Sequence, residues 1–130
     1  MAAARDGRVV LDWADGTHEF RLAWADLIRL QESCDAGPAW IYEQMANGRW
    51  TLEMVEQVIL NGLIGAGMPG AQARRLVQQW VHGFPPMQSL LPARTILGVA
   101  LMGAPEGDDD APGKFPAAAM SDGATSRAAS

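Results

Sequence analysis

The sequence has few of the residues that build disulfide-linked, secreted or membrane-embedded proteins. Cys34 is the only cysteine in 130 residues, so an internal disulfide framework is excluded and a reducing compartment is the simplest expectation. The first ten residues lack the apolar segment of a secretory signal, and we expect none. The longest apolar stretches fall short of the roughly 20 residues that a transmembrane helix needs, so we expect no membrane partner.

Basic residues are also scarce and scattered. The net charge is −5. Residues 106–130 hold five acidic and two basic side chains, and the first 105 residues hold ten acidic and eight basic side chains. The only adjacent basic pair is Arg74-Arg75. Because nucleic-acid binding needs clustered positive charge to neutralise phosphates, we expect no direct nucleic-acid partner.

No spacing of reactive residues predicts an enzyme, a metal site or a cofactor site. His18 and His82 belong to no metal-binding pattern, and Cys34 has no identifiable histidine partner. The glycine-rich stretch GLIGAG, residues 62–67, has the wrong order for a phosphate-binding loop and follows a helix rather than a strand. We expect structural roles instead: His18 against Trp13, His82 near a helix C-terminus, Cys34 as a buried small side chain, and 62–67 as a helix end needing close packing or positive φ.

Residues 9–22, VVLDWADGTHEFRL, predict a β-hairpin with a type I′ turn at Asp15-Gly16. This turn sets a cross-strand register and places a like-charge pair on the outer face, Asp12 opposite Glu19. The apolar face should lie on helices, or an open strand edge should meet another chain. The predicted inner pairs and turn-flanking pair are Val9 with Leu22, Leu11 with Phe20, Trp13 with His18, and Ala14 with Thr17.

The rest of the chain, up to about residue 102, predicts helices separated by Gly and Pro breaks. Thr51 is a predicted N-cap, and Pro92 implies a kink or a break in the last helix. The predicted helical segments are 23–37, 38–46, 52–67, 71–83 and 87–103. Their predicted apolar faces are Trp24, Leu27, Ile28, Leu30, Gln31 and Cys34; Leu52, Val55, Ile59 and Leu63; Ala73, Leu76, Val77, Trp80 and Val81; and Leu90, Leu91, Leu97 and Leu101.

The fold class that follows is α+β and mainly α, with an N-terminal β-hairpin, four to five short helices and a disordered C-terminal tail. We divide the chain into a flexible N-terminus at 1–7, a single domain at 8–102, and an acidic, small-residue tail at 103–130. Five tryptophans are many for this length. Most should lie in the core, and one or two exposed ones would indicate a partner surface.

The order of these elements resembles the small tail assembly chaperone family of gene transfer agents and related siphophage-type tails, also described as gene transfer agent tail tube proteins. The resemblance covers roughly residues 8–102, and the stretch after Met68 departs from the family pattern. The residues that carry it are Asp15, Gly16, Phe20, Leu22, Leu27, Leu30 and Glu32; then Ala46, Gly48, Trp50 and Thr51; then Ile59, Leu60, Gly62, Leu63, Gly65 and Gly67.

The resemblance implies a non-enzymatic tail morphogenesis factor in the cytoplasm of a tail-producing bacterium. Such a chaperone shields the tape measure protein until tube subunits assemble, with tail tube subunits and self-association as further expected contacts. We expect the hairpin edge or the methionine-bearing helices to hold the partner surface. The candidate partner-binding residues are Val10, Trp50, Met54 and Met68. Two alternatives stay open: a structural tail component retained in the particle, and an unrelated protein-interaction adaptor.

Overall fold

A computed structural model describes residues 2–3 and 7–103 of the chain. In these residues a small antiparallel sheet precedes five helices, which confirms the mainly helical α+β class. The expectations of a disordered tail and of a boundary near residue 103 concern residues outside the described part. The elements are β1 (Ala2–Ala3), β2 (Arg8–Trp13), β3 (Gly16–Arg21), α1 (Trp24–Cys34), α2 (Pro38–Ala46), α3 (Leu52–Gly65), α4 (Gly70–Trp80) and α5 (Met87–Met102).

The hairpin is present, but its predicted turn and register are wrong. The two turn residues are Ala14 and Asp15, and Gly16 already pairs with Trp13 in the ladder. Ala14 has a φ of 62°, which supplies the positive angle that a two-residue hairpin turn needs. The pairing is shifted by two residues, so Val9 lies opposite Phe20 and Leu11 opposite His18.

A shift of two residues keeps every side chain on its predicted face, because side chains alternate with period two. Val9, Trp13, Phe20 and Leu22 are therefore buried, as the alternation predicts. The observed register also removes the like-charge pair. Asp12 lies opposite Thr17, whose hydroxyl donates to it at 3.0 Å.

Glu19, which no longer lies opposite Asp12, forms an ion pair with Arg8 at 2.7 Å. Ala2 and Ala3 pair with Val10 and Val9 on the other edge of β2, so part of the predicted flexible N-terminus forms a short strand. This leaves β3 as an edge strand of the described sheet.

Helix α3 is the central element, since it packs against β3, α1, α4 and α5. It begins as predicted at Thr51, whose hydroxyl accepts a hydrogen bond from the Met54 amide at 3.1 Å. The buried core gathers side chains from the sheet and from every helix. Its largest fully buried members include Val9, Phe20, Leu30, Ile41, Met45, Val55, Val58, Ile59, Leu63, Ile96 and Leu97.

Several residues of the predicted apolar faces do not enter this core. Trp24, Leu52 and Leu91 are 81%, 64% and 67% exposed, and Ile28 and Leu101 are exposed as well. Each lies at a helix end or on a face that no other described element covers. By contrast, Ala73 and Val77 in α4 and Val81 directly after it are buried as predicted. Of the predicted kink or break at Pro92, the break is absent, since α5 runs as one helix through this residue.

The glycine-rich end of α3 confirms the structural interpretation of residues 62–67. Gly62 lies against the side chains of Phe20 and Ile96, where an added Cβ would meet atoms at 3.3 Å and 3.2 Å. Gly67 has a φ of +111°, which favours glycine. These glycines let the end of α3 approach the sheet closely and then leave the helix.

Candidate interaction surface

Large apolar side chains remain exposed in several places on the described fold. Three of the five tryptophans belong to the core or pack against it, as expected: Trp13 is buried, and Trp50 and Trp80 are partly buried. The other two are exposed. Trp24 and Ile28 are exposed together on α1, and Trp40 is exposed on α2. A further group surrounds the beginnings of α3 and α5: Leu52, Phe84, Met87 and Leu91.

Leu52 and Phe84 of this group line a groove of about 310 Å³ between the first turns of α3 and the connection from α4 to α5. We call it the Phe84 groove. Proline at positions 85 and 86 ends the α4–α5 connection, because proline cannot continue a preceding helix but suits the start of the next. The lining residues are Leu52, Val55, Glu56, Val81, His82, Phe84 and Pro86.

A second groove, of about 340 Å³, also has Phe84 in its lining. Phe84 stacks on Trp80 with ring centroids 5.2 Å apart and an interplanar angle of 10°. Phe84 thus belongs to the lining of both grooves, and its stacking partner Trp80 to that of the second. The second groove is lined by Asp12, Trp13, Ala14, Trp80, Phe84, Gln88, Ser89 and Pro92, which brings the hairpin turn to the same end of the molecule.

One charged pair stands at the edge of the Phe84 groove. His82 Nε2 donates to Glu56 Oε1 at 3.1 Å, which ties the α4–α5 connection to α3. The Glu56 side chain keeps 32% of its surface exposed. The groove therefore offers an apolar floor and, at its rim, a carboxylate that a basic group of an occupant can reach.

The four predicted partner-binding residues differ in burial and lie outside the two grooves. Met54 is 5% exposed and belongs to the core. Val10 on β2, Trp50 just before α3, and Met68 after α3 are half-buried. None of the four lines the Phe84 groove or the second groove. The sequence feature that marks the grooves is instead an aromatic residue beside two prolines, at 84–86.

The predicted structural roles of the reactive residues can be followed individually. His18 contacts Trp13 edge to face at 5.5 Å, and its Nε2 donates to Asp15 Oδ1 at 2.8 Å. This hydrogen bond lowers the pKa of Asp15 below its ordinary value. Burial, with a smaller contribution from Glu53, raises the pKa of Cys34 to about 11, so its thiol is protonated at neutral pH.

Within residues 2–3 and 7–103, no group of three or more His, Cys, Asp or Glu side chains is arranged to hold a metal ion. None of the helices described in the same ranges is both long and apolar enough to cross a membrane.

A family model described as phage tail tube protein, GTA-gp10, matches residues 6–103. The match covers the sheet from β2 onward and all five helices, including the α4–α5 connection that lines the Phe84 groove. No curated protein and no solved structure matches the chain.

Proposed function

We propose a function from one premise: the chain belongs to the family described as phage tail tube protein, GTA-gp10. A tail-associated role follows from this membership. Within that role, we propose that the protein is a non-enzymatic assembly chaperone. It shields apolar segments of the tape measure protein in the tail-producing cell until tube subunits assemble around it.

The observation that supports a chaperone best is the apolar surface around Phe84. Phe84 lines both grooves, and Leu52 in the lining of the first is 64% exposed. Met87, which follows the lining residue Pro86 in the chain, is 67% exposed. Concave apolar surfaces with aromatic and methionine side chains suit the apolar face of an amphipathic client helix. Each groove accommodates only one or two side chains, so the client would be held by spaced apolar anchors.

Co-expression with the tape measure protein from the same gene cluster tests this proposal. We expect a soluble complex that elutes as one species in size-exclusion chromatography. Leu52→Ser and Met87→Ser should each weaken this complex. Leu52 lines the Phe84 groove, and the exposed Met87 stands in the chain between a lining residue of each groove, Pro86 and Gln88. Trp24→Ser is the matched control: Trp24 is also exposed but lies on α1, away from the grooves.

Equal loss of the complex in all three variants would contradict the assignment to this surface. An insoluble tape measure protein, or no complex with the unaltered chain, would contradict the chaperone role itself. Intact folding of each variant is checked by its urea unfolding midpoint, which should change little for exposed sites.

A structural tail component is the second candidate function, and one observation favours it. Strand β3 is at the edge of the described sheet, where a neighbouring subunit can add a strand. A subunit of this kind is retained in the finished particle and forms rings or tubes. Quantitative mass spectrometry of purified particles separates the two functions, because a chaperone is absent from them and a subunit is present in fixed stoichiometry.

A further inference from the structure

The Phe84 groove lies at the beginning of α5, and the chain leaves the described fold at the other end of the same helix. Helix α5 has 16 residues, so it is about 24 Å long. The sequence continues for 27 residues after Gly103. A segment of those residues can return to the groove only if its composition suits the lining and its tether spans the length of α5.

The sequence after Gly103 contains one segment of matching chemistry. Lys114 is the only lysine of the whole chain, and Phe115 beside it is the only aromatic residue after Gly103. Pro116 follows directly. An aromatic ring suits a groove lined by Leu52 and Phe84, and an adjacent ammonium group suits the carboxylate of Glu56 at its rim.

The tether is long enough for this return. Phe115 comes 12 residues after Gly103, and an extended chain spans about 3.3 Å per residue, or about 40 Å in all. This exceeds the length of α5 by a wide margin. The segment can therefore reach the groove without any change in α5, and enough chain length remains for the turn after Gly103.

One face of α5 offers a path between the two ends. Met87, Leu91 and Arg94 follow the i, i+4, i+7 spacing of a single helix face. Met87 and Leu91 are both 67% exposed, and the buried Nε of Arg94 has no hydrogen-bond partner among the described residues. The acidic run 108–110 precedes Phe115 by five to seven residues, which places it within reach of Arg94 along this path.

We propose that the segment Lys114-Phe115-Pro116 occupies the Phe84 groove of its own chain, with the acidic run 108–110 passing Arg94. The Phe115 ring enters the groove and Lys114 pairs with Glu56. The docked segment is a built-in competitor for the surface that binds the client. This competition rests on the proposed function, whereas the docking does not.

The docking is measured in the full chain without any client. We compare ¹⁵N–¹H spectra of the unaltered protein, Phe115→Ala and Lys114→Glu, with Met120→Ala as the matched control from the same region. Phe115→Ala and Lys114→Glu should shift amide resonances at residues 52–56 and 81–87, and Met120→Ala should leave them in place. Unchanged groove resonances in Phe115→Ala would overturn the proposal.

Dilution distinguishes the chain's own segment from that of a second copy. If the differences in chemical shift between the unaltered protein and Phe115→Ala are the same in dilute and concentrated samples, the segment docks within one chain. If these differences disappear on dilution, the groove is occupied by the segment of another copy, which contradicts the proposal. Both results are obtained without the tape measure protein, so they test the docking independently of the chaperone function.

The expected effect on client binding is small but measurable. A tether of this length gives an effective concentration of about a millimolar. A docked segment with a dissociation constant of similar size leaves about half of the grooves open, so Phe115→Ala should raise the apparent client affinity about twofold. An unchanged affinity combined with shifted groove resonances would contradict the competition and leave the docking supported.

Discussion

Gly65 at the end of α3 lies directly against the carbonyl oxygen of Arg21 at the end of β3. A Cβ at Gly65 would overlap that oxygen and the carboxylate of Asp26 on α1. Three elements therefore meet at one backbone position, and only glycine permits the approach. The glycine-rich stretch that resembled a phosphate loop is in fact the point where α3, α1 and the hairpin are held together.

Gly65→Ala should destabilise the fold by at least about 2 kcal/mol, because backbone on both sides must move to admit the methyl group. Urea unfolding of the full chain measures this change through its midpoint at unchanged slope. Gly16→Ala is the control, since nothing lies within 4 Å of a Cβ there. Similar stability of the two variants would show that α3 and β3 are not in close contact.

Asp26 is a buried carboxylate in the first turn of α1. It is 5% exposed, its Oδ2 accepts from the Ala23 amide at 2.9 Å, and its Oδ1 pairs with Arg29. Asp26→Ala should cost about 1–3 kcal/mol, because it leaves a helix N-terminal amide without a partner. Asp12→Ala removes an exposed carboxylate that also accepts a hydrogen bond, and it should change the free energy of unfolding by less than about 0.5 kcal/mol. If Asp26→Ala and Asp12→Ala lowered the free energy of unfolding equally, burial would not be the cause of the larger effect expected at Asp26.

The hairpin shows which part of the fold the sequence pattern could determine. Alternation correctly assigned Val9 and Phe20 to the buried face, since any register that keeps the parity does so. The register itself depended on the turn, and the Asp15-Gly16 rule chose the wrong pair of residues. In the observed register the Trp13 ring lies edge to face with His18 at 5.5 Å and with Phe20 at 5.7 Å, and the two-residue turn rule takes no account of such ring packing.

The turn leads to a prediction about Ala-to-Gly substitution. Such a change usually destabilises a folded protein, but at Ala14 it should stabilise it. Ala14 has a φ of 62°, which costs an L-residue about 1 kcal/mol relative to glycine. Ala14→Gly should therefore stabilise the fold by about 0.5–1 kcal/mol. Ala25→Gly, at an exposed position in α1, should destabilise it by about 1 kcal/mol. Thermal or urea unfolding that shows the same sign for both variants would contradict the observed turn.

The candidate surface could not be predicted from the sequence, for a physical reason. Helical periodicity identifies apolar residues but not which of them another element will cover. Leu52 and Val55 lie three residues apart on one predicted face, yet Leu52 is 64% exposed and Val55 is 1% exposed. The difference arises from where α4 and the α4–α5 connection end, and that is a property of the assembled fold.

Cys34 leads to a prediction about chemical reactivity. Burial, and secondarily Glu53, raise its pKa from the ordinary 9.0 to about 11. The thiolate is the reacting species, and its population at pH 8 falls tenfold for each unit of pKa. Alkylation of the native protein by iodoacetamide at pH 8 should therefore be about 100-fold slower than that of the urea-unfolded chain, and its rate should keep rising up to pH 11.

The same raised pKa determines how the stability depends on pH. The native state holds the thiol proton more tightly than the unfolded state does, so this contribution to stability is complete below pH 9 and is lost as the pH rises towards 11. Cys34→Ser removes that part of the alkaline decline in the free energy of unfolding. Glu53→Gln should accelerate alkylation only slightly, because burial is the larger cause. A rate in the native protein equal to that of the unfolded chain would show that Cys34 is open to solvent and contradict its packing beside α3.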